Sequence, residues 1–406
     1  MITAVVTSDN HLGAYYARFR PERLGQRRRR LQEAFERVVD AAIERKADLF
    51  LHAGDLFDRP DPRNAERCFV ARQFKRLRDA GIEAFAIAGN HDSPRSFGYD
   101  GGVLPQEEMQ ALGAVHLFRQ TDALKAVTIM VRGQRVAIWG MSSDFNLPEG
   151  ICPLEGLTAQ HRREGDIDLM LLHYGVEGWG QPFAQEPCLS LANLQLLQAD
   201  SICVGHLHTR RETRLPSGAV LLNPGATEHI NFGEESLSCG FWVLHCEPGR
   251  VETEYLSLPT QLMRTLELDV NSAPIAEQQG ESNPLMDTLL AQIESVAHSD
   301  QLLRVRVSGR LPRARAPQLD LGRLLLRGNE TNFHCQVETD RLTVFDPSAE
   351  LPIGFGVSFD AGEELQNIAR AVAAVYGDDP TEQEICRLAA QRLDIAYLRL
   401  TGTSRA

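Results

Sequence analysis

Residues 48–58 read Asp-Leu-Phe-Leu-His-Ala-Gly-Asp-Leu-Phe-Asp, and this stretch decides the fold. Asp48–Ala53 is a short, largely apolar run, which predicts a buried strand. It stops at Gly54, and two carboxylates, Asp55 and Asp58, follow. The pattern recurs on both sides. Ile2–Thr7 predicts a strand and leads into Asp9-Asn10-His11, and Glu83–Ala88 predicts another that leads into Gly89-Asn90-His91-Asp92. Leu169–Leu172 runs into His173, and Ser201–Val204 into Gly205-His206-Leu207-His208. Polar groups at the carboxyl ends of strands converge on one edge of a sheet, where α/β proteins place their sites. Glycines 54, 89 and 205 are expected to let the chain turn sharply there.

Between these strands the period changes. Gln26–Lys46 predicts a helix, with Leu31, Phe35, Val38, Val39, Ala42 and Ile43 at helical spacing, and Ala65–Ala80 predicts a second. Val127–Val131, Val136–Met141, Ala219–Leu222 and Gly240–Leu244 predict further strands. A βαβ rhythm followed by a series of strands implies a layered α/β sandwich. Near Ser257–Arg264 the character shifts. Thr265–Val270, Leu303–Ser308, His334–Glu338 and Leu342–Phe345 predict strands around a helix near Asn283–Val296, a small α+β domain. Helices over 362–376 and 381–398 close the chain, the second opened by a Thr381/Glu384 capping box. The expected organisation is an α/β domain over 1–260, a small α+β domain over 261–355 and C-terminal helices over 356–406.

A length of 406 residues suits two or three domains, and 43% hydrophobic with 24% charged residues excludes wholesale disorder. No apolar run is long enough to span a membrane, and the N-terminus reads as a strand, not a signal peptide. The eight cysteines are scattered without a Cys-x-x-Cys pair, so a disulfide scaffold or thiolate zinc knot is not expected and a cytoplasmic location is. The net charge of −13 argues at first sight against nucleic acid. It is unevenly spread, however. Seven arginines against Glu22 crowd residues 14–32, and seven against Asp320 crowd residues 301–327. Planar guanidinium groups grip phosphate oxygens.

The strand-end groups are imidazoles, carboxylates and one amide, a donor set that suits Mn²⁺, Fe or Zn²⁺. Any one of these histidines alone could be an ordinary polar loop residue. Together Asp9, His11, Asp55, Asn90, His173, His206 and His208 are seven donors, enough for two metal ions about 3.5–4 Å apart with one carboxylate shared. Such a pair can clamp a phosphoryl group and ionise a shared water, which is the chemistry of phosphoester hydrolysis.

These five motifs, in this order, resemble the signature of calcineurin-like metallophosphoesterases over roughly residues 1–260. The resemblance implies an α/β fold, a four-layer α-β-β-α sandwich carrying the small capping domain and C-terminal helices. It also implies that Asp9, His11 and His208 hold one ion, that Asn90, His173 and His206 hold the other, and that Asp55 bridges. His91 would face the scissile phosphate, and Asp92 would orient its imidazole.

The forms Gly-Asp-Leu-Phe-Asp (54–58), Leu-Leu-His-Tyr-Gly-Val-Glu-Gly (171–178) and Asn-Pro-Gly-Ala-Thr-Glu-His-Ile-Asn-Phe-Gly-Glu-Glu (223–235) resemble the SbcD-type DNA repair exonucleases. That likeness implies a Mn²⁺-dependent DNA exonuclease, a homodimer, and an SbcC-like coiled-coil ATPase partner bound through the C-terminal helices. The cap would help present DNA, so Arg27, Arg28, Arg30, Arg310, Arg313 and Arg315 are candidate phosphate contacts. The chain departs from some of these relatives in having Asp58 where they have His. A phosphatase, cyclic nucleotide phosphodiesterase or nucleotidase is the alternative within the superfamily. A catalytically dead scaffold is the alternative outside it, and it predicts broken donor positions where all seven are intact.

Overall fold

The computed structural model describes residues 1–16, 19–94, 102–144, 146–148, 151–159, 161–180, 186–272 and 283–346. The expected C-terminal helices lie outside the described residues. The first half alternates β1 (Ile2–Thr7), α1 (Pro21–Glu44), β2 (Leu49–Ala53), α2 (Asn64–Asp79), β3 (Glu83–Ile87), α3 (Glu107–Ala111) and β4 (His116–Phe118). It continues through β5 (Lys125–Val131), β6 (Gln134–Gly140), β7 (Ile167–His173), β8 (Gly175–Val176), β9 (Cys188–Leu189), α4 (Leu191–Gln195) and β10 (Ser201–Gly205). Then come β11 (Arg211–Arg214), β12 (Val220–Asn223), β13 (Gly240–Glu247) and β14 (Arg250–Ser257). The cap supplies β15 (Met263–Asp269), α5 (Pro284–Ser295), β16 (Leu302–Pro312), α6 (Leu321–Thr331) and β17 (His334–Phe345).

Two six-stranded sheets stack face to face, in the orders β14-β13-β1-β2-β3-β4 and β11-β12-β10-β7-β6-β5. Side-chain alternation sets the layers. Ala4, Val6, Leu49 and Leu51 pack inward against Ile138, Leu169 and Leu171 of the other sheet. Val5 and Phe50 point outward, under Leu31, Phe35 and Val38 of α1 and Phe74 of α2. Met170, Leu172 and Ile202 face the opposite outer layer, built from α4 and the turns around Leu154. The chain is thus the expected four-layer α/β sandwich. Its central strands are apolar on both faces because both are covered.

The cap is β-α-β-α-β, with three parallel strands in the order β15-β16-β17. Leu289 and Ile293 of α5 and Leu324 of α6 cover Val305 and Val307. His334–Phe345 is one strand rather than two, with a register shift opposite Arg306–Ser308. Helix α6 falls in the arginine-rich stretch 301–327, outside the helices and strands read from the sequence, and β11 and β14 carry too many charges to look like strands. The cap rests on α1, where Arg30 pairs with Asp300 and the Arg23 guanidinium lies 4.7 Å from the Phe333 ring. Among the described residues no helix is long and apolar enough to cross a membrane.

Candidate metal centre

The loops that follow β1 and β2 are bonded to each other before any side chain is considered. The amides of Asn10 and His11 donate to the Asp55 carbonyl at 2.9 and 3.1 Å, and the Asp9 amide to the Gly54 carbonyl at 3.0 Å. Backbone strain concentrates here. Among the described residues six non-glycine residues have positive φ, and Asp9, His11, Asp55 and His206 are four of them. Such conformations cost free energy and persist where the surroundings over-determine them, commonly at functional sites. The glycines serve mainly to give room. Gly54 does have φ +92°, but a Cβ at Gly89 would lie 2.2 Å from Asp55 Oδ1 and one at Gly205 2.7 Å from His173 Nδ1.

Six donors predicted from sequence meet within bonding reach in two groups, and Asp55 reaches into both. His11 Nε2 lies 3.0 Å from His208 Nε2, beside Asp9. Asn90 Oδ1 lies 3.1 Å from His173 Nε2 and 3.3 Å from His206 Nδ1. Between them, Asp55 Oδ2 is 3.2 Å from His173 Nε2 and 3.8 Å from His11 Nε2. Asp9, Asp55, His11 and His173 are almost fully buried.

His173, His206 and His208 each present one nitrogen to the cluster and rest the other on an oxygen. His208 Nδ1 sits 2.9 Å from Glu234 Oε1, His206 Nε2 3.0 Å from Glu186 Oε2, and His173 Nδ1 2.7 Å from the Ala53 carbonyl. His11 Nδ1 is 3.4 Å from Asp58 Oδ1. Histidines that ligate metals are commonly tied back in this way, which fixes the tautomer and aims the free lone pair. Two imidazole nitrogens facing each other beside buried carboxylates form a donor set that fits divalent ions.

Protonation follows the same logic. Burial opposes charge on His173, but the Asp55 carboxylate and its hydrogen bond outweigh it and hold the imidazole up at about 9. Burial likewise opposes charge on His208, and Glu234 overrides it to about 8. Burial would raise Asp55, yet His173 and His11 hold it well below the usual carboxylate range. Behind the site His52 is fully buried, its ring nitrogen 2.6 Å from Asn10 Oδ1, and burial drives it down to about 3.

Two expected roles change. The Asp92 carboxylate does not reach the His91 ring; it accepts the amides of Leu56, Phe57 and Gly89 at 3.1, 2.8 and 3.2 Å. It locks the loops after β2 and β3 together, and burial and Asp55 raise its pKa. The His91 ring is instead turned by Asp58, whose carbonyl lies 3.2 Å from Nδ1. Arg27 is no phosphate contact. It is fully buried, 3.3 Å from Glu228 Oε1, and also donates to the His229 carbonyl. A side chain sealed by its own core cannot meet a phosphate.

The other arginines are reachable to different degrees. Arg28 Nε donates to the Ala14 carbonyl at 2.9 Å, Arg30 holds Asp300, and the Arg310 guanidinium lies 4.5 Å from the Phe345 ring. Arg313 is exposed and Arg315 half-buried on the turn Arg313–Gln318. Arg306 and Arg327 pair with acids, so the basic run 301–327 is partly neutralised in space. Glu234 and Glu186 were missed as site residues. They are 26 and 20 residues from the histidines they back, and no local spacing marks them.

The family model for calcineurin-like phosphoesterases matches residues 2–210. A DNA double-strand break repair protein Mre11 of Sulfurisphaera tokodaii is 30% identical over 222 residues, 54% of this chain and 52% of that protein. The Mre11 of Sulfolobus acidocaldarius is 28% identical, over 54% of this chain and 53% of that protein. An uncharacterized metallophosphoesterase, YhaO of Bacillus subtilis, is 28% identical, over 58% of this chain and 54% of that protein. The chain therefore matches about half the length of these curated relatives. The family match takes in just over half of its 406 residues and all five strand-end motifs: the chain belongs to the calcineurin-like phosphoesterases.

Proposed function

We propose that this phosphoesterase is a DNA nuclease, an exonuclease that hydrolyses phosphodiester bonds during double-strand-break repair. The observation that carries the reading is the doubled donor cluster sharing Asp55, in a chain whose relatives include Mre11 repair proteins. Asp9, His11 and His208 would hold one ion and Asn90, His173 and His206 the other, with Asp55 between. We assign both as Mn²⁺. Bound together, such ions lower the pKa of a shared water and neutralise charge on the phosphoryl group.

The chain's own residues do the rest. His91, 43% exposed by side chain against 2% for His11, is the motif imidazole most open to substrate. Its Nδ1–H donates to the Asp58 carbonyl, which leaves Nε2 to stabilise the phosphoryl oxygens or to protonate the leaving 3′ oxygen. The Asp58 carboxylate, beside both His11 Nδ1 and His91 Nδ1, holds the two rings edge to face at 4.6 Å. Asp92 keeps the loops that carry Asp55 and His91 in register. Arg28, Arg30, Arg310, Arg313 and Arg315 remain proposed phosphate contacts, which position a strand without reading its sequence.

The same reading makes the protein a homodimer and the nuclease subunit of a complex with an SbcC-like coiled-coil ATPase. Incubation of the purified protein and Mn²⁺ with end-labelled linear duplexes tests the function, with and without such an ATPase. Degradation by wild type and none by His91→Ala that still binds metal and DNA is the expected result. Turnover of a small phosphodiester without DNA binding would overturn the nuclease assignment.

A further inference from the structure

Resting on the nuclease reading above, we propose that the cleft between the core and the cap receives one unpaired nucleobase of the strand being cut. The cleft has a volume of about 370 Å³ and is lined by Tyr16, Phe19, Ile230, Phe232, Met263 and Arg304, among others. That volume lies in the range of roughly 300–1,000 Å³ typical of small-ligand pockets. Its walls are flat and aromatic. The Tyr16 and Phe19 rings lie 5.0 Å apart at 31°, and the Arg304 guanidinium lies 5.0 Å from the Phe232 ring centroid.

The charge of Arg304 points to the occupant. Its Nε and Nη2 donate to the neutral Thr265 hydroxyl at 3.0 and 2.8 Å. The Glu338 carboxylate is 4.0 Å from Arg304 Nε and lies closer, at 3.5 Å, to Arg306. A weakly neutralised guanidinium among aromatic rings favours a π-rich ring with carbonyl oxygens over an aliphatic side chain.

The cleft also shares a wall with the metal centre. Phe232 and Glu234 lie on one 3-10 turn, and Glu234 Oε1 is 2.9 Å from His208 Nδ1. A strand with a phosphate at the donors would set a neighbouring base against Phe232, which shares its turn with Glu234. Both binding events would then act on the same turn.

Single strands with phosphorothioate linkages, carrying 2-aminopurine at successive positions, test this on the Mn²⁺-loaded protein. Quenching is expected at one position near the scissile linkage. Phe232→Leu and Phe19→Leu should each restore fluorescence and weaken binding roughly tenfold, the scale of one base–aromatic stack. Using two walls guards against a local folding defect, and metal content by elemental analysis identifies one. Tight strand binding with no quenched position would leave the cleft to an apolar peptide and overturn the proposal. So would both variants quenching and binding like wild type. Quenching abolished by equimolar deoxyadenosine monophosphate would assign a free-nucleotide site instead. A protein that binds no strand at all would sink the nuclease reading itself.

Discussion

Glu234→Gln isolates the support of one metal ligand. Glu234 Oε1 faces His208 Nδ1 at 2.9 Å and accepts from Asn231 Nδ2 at 2.6 Å, while Oε2 accepts the Ile230 amide at 2.7 Å. Both oxygens therefore accept. Whichever way a glutamine amide is turned, its NH₂ group meets a donor. The residue is 6% exposed, so water cannot readily repair the loss. A hydrogen bond to a charged group contributes about 1.5–3 kcal/mol. At 1.4 kcal/mol per decade, removing this one predicts roughly 10- to 100-fold weaker binding of a single ion. The second ion, held by His173, His206 and Asn90, should bind as in wild type. Calorimetric titration of the metal-free protein with Mn²⁺ should resolve two wild-type-like sites in the parent and one weakened site in the variant. Two unchanged sites would show that Glu234 does not support His208, and the assignment of that ligand would need revision.

Other consequences are as direct. His91→Ala should retain both ions and lose roughly 10²- to 10⁴-fold in cleavage rate, measured by single-turnover kinetics against metal content. Gly89→Ala would force a Cβ to 2.2 Å from Asp55 Oδ1, so elemental analysis should find metal lost. Arg27→Ala strands the buried Glu228 carboxylate and should cost about 3–5 kcal/mol in urea unfolding, without changing the salt dependence of DNA binding. In the metal-free protein His173 and His208 stand at about 9 and about 8, above their ordinary 6.5, so the folded chain binds the extra protons. Their stabilisation is full below pH ~6.5 and fades as pH rises through these values. Metal needs the same nitrogens bare and binds more tightly over that rise, so the Tm gap between Mn²⁺-loaded and EDTA-treated protein should widen with pH.

The centre was legible because its donors are local to strand ends. A strand that stops at Gly54-Asp55 or Gly89-Asn90-His91 announces both the turn and the ligand within a few residues. The sandwich was legible because a strand covered on both faces, such as Leu49–Ala53, reads as a continuous apolar run. What the sequence hid is set by packing between distant segments. Glu234 reaches His208 only after the loop beyond β12 folds back. The Asp92 carboxylate was expected on its neighbour's ring but meets three amides, two of them from the loop after β2. Arg27 sits in a run of four arginines that looks like a solvated face. Yet the helix turns it under Glu228, and a one-dimensional charge count cannot see which side of α1 is covered.

The two sheets meet across a seam filled largely by apolar side chains, crossed by hydrogen bonds such as those from Trp242 Nε1 to the Asn223 carbonyl and from His173 Nδ1 to the Ala53 carbonyl. At one end of that seam the donors are divided. Asp9, Asp55 and Asn90 follow strands of one sheet, and His173, His206 and His208 end or follow strands of the other. An ion held there would act as a rivet through both plates, adding to the His173–Ala53 hydrogen bond at the edge where a strand must be gripped. The charge that performs the chemistry would then also set the mechanical stiffness of the jaw that holds the substrate.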